Sequence, residues 1–128
     1  MDKSDTYIIM CERATEIQVC WKQNPRTDDD WVRSYKQPYN QVWLPRQDQL
    51  QAMFKGKYDI ENMLVVFNDW RRGTCVADDF KFKEPEITPQ NRSTITMEQL
   101  WLKFVMYELF NKQWNPETKE WTNDRTSN

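Results

Sequence analysis

The side chains able to do chemistry in this sequence are carboxylates, thiols, Tyr, Lys and Arg; His is absent. Without imidazole there is no Ser-His-Asp triad, no Cys-His dyad and no His-ligated metal centre. Glycosidase chemistry needs two acids opposed across a cleft. Glu12 and Glu16 stand one helical turn apart, and their Lys and Arg neighbours mark them as surface charges. Cys75 follows Gly73-Thr74, and no imidazole exists to deprotonate it. The two glycines, Gly56 and Gly73, stand alone and build no phosphate cradle. Asp28-Asp29-Asp30 and Asp78-Asp79 lack the alternating spacing and closing Glu of a calcium loop, so the Asp28 run reads as solvated loop. The expectation is a protein that binds and does not catalyse, with no cofactor and no metal.

The candidate binding residues fall in three places. The densest is Trp43-Leu44-Pro45-Arg46-Gln47-Asp48-Gln49-Leu50-Gln51. Arg46, Gln47 and Asp48 sit at a helix start, where free backbone N–H groups and polar side chains could hold an anion or a polar peptide. The plain alternative is scaffold: a strand end, a proline-started helix and a core Leu. Exposure decides between the two. Arg71 and Arg72, beside Trp70, could hold a phosphate or stack on a base; they also suit the last turn of a helix, where cations complement the dipole. Trp114 and Trp121 lie on a short hairpin with little room to bury both, and an exposed Trp pair is a contact-surface candidate.

The elements that must position these residues follow from apolar spacing. Tyr7, Met10, Cys11, Ala14, Ile17 and Trp21 make one helical stripe over residues 4 to 22, capped by Ser4 or Asp5 and stopped by Asn24-Pro25. Trp31 to Tyr35 alternates as a short strand, with Gln41 to Leu44 as its antiparallel partner. Pro45 opens a helix to Phe54, which Lys55-Gly56-Lys57 ends. Asp59 opens the next, with Ile60, Met63, Leu64, Phe67 and Trp70 as its buried stripe and Gly73 as its stop. Residues 74 to 95 are the least regular; Phe80 and Phe82 suit a short strand, and Pro85 and Pro89 an exposed connection. Thr96 and Gln99 form a capping box that starts the strongest helix, through Trp101 and Phe104 to Asn111. Pro116-Glu117-Thr118 turns the Trp114–Trp121 hairpin. The fold class is therefore α+β, mainly helical, with about four helices and one or two short hairpins. Residues 1–122 read as a single domain and 123–128 as a frayed tail.

With 18 Lys+Arg against 20 Asp+Glu the net charge is −2, which gives no basic footprint for duplex nucleic acid. Hydrophobic residues make up 38% of the chain, but seven are Trp and 14% of residues are aromatic. A few large rings can build a core, because each buries about 150–250 Å². Cys11, Cys20 and Cys75 are odd in number; Cys11 and Cys20 fall on opposite faces of one expected helix, about 13 Å apart along its axis, too far to bond. Reduced thiols are expected. Residues 1–22 show no apolar leader segment and no stretch approaches a membrane span, so the chain reads as cytoplasmic.

Three segments carry a family resemblance. Met10-Cys11-Glu12-Arg13-Ala14-Thr15-Glu16-Ile17-Gln18, the Trp43–Gln51 string, and Met97 to Met106 followed by Trp114-Asn115 and Trp121 together resemble an uncharacterised family of small bacteriophage and prophage proteins. The resemblance brings no catalytic residues. It implies an accessory protein in a bacterial host cytoplasm. The expected role is a non-catalytic interaction module, an adaptor or inhibitor of a host protein such as one that serves host defence, with a phage protein as the other candidate partner. The alternative is a binder of nucleotides or single-stranded nucleic acid through Arg46, Arg71, Arg72 and ring stacking.

Overall fold

The computed structural model describes residues 1–34, 36–37, 39–77 and 96–123, with residues 72–77 as backbone only. Among them are five helices and two antiparallel two-stranded sheets. The order is α1 (Asp5–Arg13), α2 (Thr15–Gln23), β1 (Trp31–Arg33), β2 (Gln41–Trp43), α3 (Gln47–Ala52), α4 (Ile60–Ala77), α5 (Met97–Phe110), β3 (Gln113–Asn115) and β4 (Glu120–Thr122). The fold is α+β and mainly helical, as the periodicity predicts. The Phe80–Phe82 strand, Pro85, Pro89, Asp78-Asp79 and the frayed tail from residue 124 lie outside the described residues.

Helix α5 is the centre. Gln99, Trp101, Leu102, Phe104, Val105 and Met106 are buried along it. Its start is fixed by Thr96, whose Oγ1 accepts from Gln99 N at 3.2 Å. Asp2 reinforces that start, accepting from Thr96 Oγ1 at 2.6 Å and Gln99 Nε2 at 2.8 Å. Its end is Asn111, which takes a left-handed φ of 57°, while Lys112 N donates back to Met106 O at 3.0 Å; Asn tolerates that conformation better than most residues. Rings fill the space around α5. Phe67 of α4 stacks on Trp101 at 3.9 Å, and Phe54 meets Phe104 at 5.1 Å.

The expected helix over residues 4–22 is instead two. The chain breaks at Ala14, with ψ at 75°. Neither Gly nor Pro marks the site. All six stripe residues from Tyr7 to Trp21 are nonetheless buried, so the break redirects the chain without turning the stripe outward. The carbonyls there carry second bonds: Met10 O and Cys11 O both accept from Ala14 N at 3.1 Å, and in addition Met10 O accepts from Trp121 Nε1 and Cys11 O from Gln18 Nε2, each at 3.0 Å. Cys11 is buried and Cys20 exposed, now on different helices.

Gln18 joins this break to the first sheet. In β1–β2, Trp31 opposes Trp43, Val32 opposes Val42, and Leu44 N donates to Asp30 O at 2.8 Å. That alternation directs the backbone groups of Trp43 away from β1. Gln18 meets them, accepting from Trp43 N at 2.8 Å and donating to Trp43 O at 3.0 Å. Its carboxamide thus does for β2 what one residue of a third strand would do.

Two further expectations are corrected. Pro45 is not the first residue of α3; it is buried just before the N-cap residue Arg46, and its carbonyl accepts from Tyr7 Oη at 2.6 Å. Helix α4 runs through Gly73 to Ala77, since a helix held on one side by ring packing carries a glycine at a cost of about 1 kcal/mol. Ile60 and Leu64 are 69% and 49% exposed, so the buried stripe of α4 is Met63, Phe67 and the half-buried Trp70. Among the described residues, no helix is long and apolar enough to cross a membrane.

Candidate functional site

The three groups of sequence candidates stand apart, with no hydrogen bond or ion pair joining them among the described residues. Arg46, Gln47 and Asp48 open a six-residue helix. Arg46 N donates to Gln49 Oε1 at 2.8 Å, which is half of a capping box. The Arg46 guanidinium lies 3.6 Å from Asp30, 3.4 Å from Asp48 and 4.0 Å from Asp28, and donates to Asp28 O at 3.1 Å. Three carboxylates around one cation leave the locality negative, which disfavours a phosphate there. The contacts of Arg46 make it scaffold, and the exposed Asp48 belongs to the same ion-pair group.

Asp29 is the centre of that scaffold, contrary to its reading as solvated loop. It accepts from Trp21 Nε1 at 2.8 Å, Arg26 N at 2.7 Å and Gln49 Nε2 at 2.7 Å. Desolvation pushes its pKa up, but the bonds from Arg26, Trp21 and Gln49, with the nearby Arg46 charge, outweigh it and hold the carboxyl below its usual value. The acidic run thus ties α2, the loop after it and α3 into one unit.

Arg71 is exposed and donates to Asn68 Oδ1 at 3.0 Å. Arg71 and Arg72 do not form a helix end, because α4 continues five residues past Arg72. Trp114 and Trp121 form the expected hairpin pair, their rings 5.1 Å apart. Both are half-buried against the core, and Trp121 is bonded to α1. The pair therefore carries the hairpin onto α1. Arg13 Nη1, donating to Lys119 O at 2.9 Å, holds the turn.

Nor are Glu12 and Glu16 plain surface charges. Glu12 accepts from the buried Ser34 hydroxyl. Glu16 pairs with Lys112; burial raises its pKa, and the Lys112 bond and charge with its other bonds bring it below the ordinary value. The buried Cys11 thiol and Tyr7 phenol are both pushed up, mainly by desolvation, which opposes any role as nucleophile or base near neutrality.

Among the described residues, the exposed aromatic side chains are on the first hairpin. Trp31 is 41% exposed and Tyr39 94% exposed. The exposed Arg33 places its guanidinium over the Trp31 ring, 5.9 Å from the centroid. The sequence signal was present: Trp31 and Arg33 are two residues apart on a strand and must share a face. What the sequence did not show is that Trp31 stays exposed while Trp43, opposite it on the same face, is buried against Trp21. Compared with family models, curated proteins and solved structures, the chain matches none.

Proposed function

We propose that this chain is a non-catalytic protein-interaction module, an adaptor or inhibitor that acts on a protein of a bacterial host cytoplasm. The supporting observation is the β1–β2 hairpin, which presents Trp31, Arg33 and Tyr39 to solvent. Trp, Tyr and Arg are the residue types most enriched where binding energy concentrates. An exposed ring with a guanidinium over it gains further when a partner excludes water. The buried thiol and phenol with raised pKa values support the non-catalytic half of the reading. A nucleotide-binding role has less support, since Arg46 is surrounded by aspartates.

The test is affinity capture from a bacterial host lysate with the wild-type chain, Trp31→Ala/Tyr39→Ala and Trp114→Phe. A true partner is retained by wild type and Trp114→Phe and lost with the double variant, an affinity loss of about 30-fold or more if the two rings are hot spots. Equal recovery with the double variant refutes the hairpin as the contact. Oligonucleotide binding that falls steeply with salt would favour the nucleic-acid reading instead.

A further inference from the structure

Helix α4 is apolar on two sides. Met63, Phe67 and Trp70 meet the core, whereas Ile60, Leu64 and Val65 remain 69%, 49% and 57% exposed. At about 100° per residue, these three share one outer face, about 140° wide, with Glu61, Asn68 and Arg71. An amphipathic helix buries one stripe; a second aliphatic stripe left in water marks a contact surface.

We propose that this face is a homodimer interface, in which two copies pack α4 against α4 antiparallel across a twofold axis. The order of charges selects a second copy as the occupant. Glu61 stands near the N-terminal end of the face and Arg71 near the other, ten residues or about 15 Å along the axis. Antiparallel packing centred on position 66 sets Glu61 of each copy beside Arg71 of its partner, twice over. Leu64 and Val65 of both copies then meet around the axis. The two helix dipoles oppose each other, which is favourable, and the twofold closes the assembly at two chains. A parallel contact would set Glu61 against its own copy. Among the described residues Arg71 donates one N–H, to Asn68, and a guanidinium has five. This surface is separate from the β1–β2 hairpin, so the inference stands independently of the proposed function.

Sedimentation equilibrium tests it, with Leu64→Glu, Glu61→Arg and Arg71→Glu. The wild-type mass should rise with concentration from 15.7 kDa towards twice that value. Leu64→Glu should stay at one chain mass with unchanged far-UV circular dichroism; the changed residue is exposed, so the fold is retained. Glu61→Arg and Arg71→Glu should each weaken self-association about 10-fold, because two attractive contacts become repulsive. Mixing these two single variants should restore the dimer, since each Arg then faces a Glu. A wild-type chain that stays at one chain mass up to ~1 mM, a Leu64→Glu dimer as strong as wild type, or a mixture no stronger than its components would each overturn the proposal.

Discussion

Replacing Gln18 with Ala should cost more than any residue on the surface of α2 has reason to. The Gln18 carboxamide makes three bonds, to Cys11 O at 3.0 Å, Trp43 O at 3.0 Å and from Trp43 N at 2.8 Å. At about 1 kcal/mol net per bond, full loss approaches 3 kcal/mol. Two corrections reduce it. Cys11 O keeps its bond from Ala14 N at 3.1 Å, and the half-buried site lets water reach part of the vacated edge. A loss of about 2 kcal/mol remains, or roughly 6–10 °C in Tm for a chain of this size. The assay is urea denaturation: the midpoint should fall with the slope unchanged. Amide exchange at Trp43 should accelerate specifically. Gln18→Glu supplies an internal control, because its carboxylate can accept from Trp43 N but donates to neither carbonyl. It should be at least as destabilising as Ala near neutral pH and recover on acidification. If Gln18→Ala lies within about 0.5 kcal/mol of wild type and Trp43 exchange is unchanged, the carboxamide does not hold α2 to β2.

Other expectations concern the same framework. Asp2 accepts from Ser4, Thr96 and Gln99; burial raises its pKa, but these bonds outweigh it and hold it below the usual value. A carboxyl depressed by folding adds stability in full above its unfolded pKa of about 3.9, and that stability is lost as pH falls through the folded value. Asp2→Asn should therefore flatten the fall in urea midpoint below about pH 4; an acid limb as steep as wild type would refute this. Trp121→Phe removes the bond to Met10 O and should lower stability by about 1–2 kcal/mol, more than Trp114→Phe, as read from thermal melts. Peptide mapping after native maleimide treatment should find Cys20 labelled and Cys11 protected until denaturant is added, because Cys20 is exposed and Cys11 buried.

The scaffold was more legible than the surface. The stripe from Tyr7 to Trp21, the ring-rich α5 and both hairpins were readable because each repeats at the period of its element. The break at Ala14 was not, since neither Gly nor Pro stands there; the groups that bond the carbonyls beside it are Gln18 on the next helix and Trp121, 111 residues from Met10. The Trp43–Gln51 string looked equally like site and scaffold, because Arg46 offers the same donors to a ligand as to Asp28, Asp30 and Asp48. Only the loop that brings those aspartates around it separates the readings. Ile60 and Leu64 fit the spacing of a buried stripe, yet a periodic pattern does not say how wide a face the core can cover.

The sequence by itself determined the chemistry withheld from this protein and the elements it builds. Composition excludes imidazole chemistry, and local spacing sets which segments are helix or strand, since both depend on near neighbours. The tertiary structure alone decided which polar groups are spent inside. Asp29, Glu12, Gln18 and Trp121 have partners 8 to 111 residues away, and no local pattern encodes a partner at that distance. It also decided which rings reach solvent. Trp121 and Trp31 are the same residue on similar short hairpins; Trp121 packs against the core and donates to Met10 O of α1, whereas Trp31 is 41% exposed.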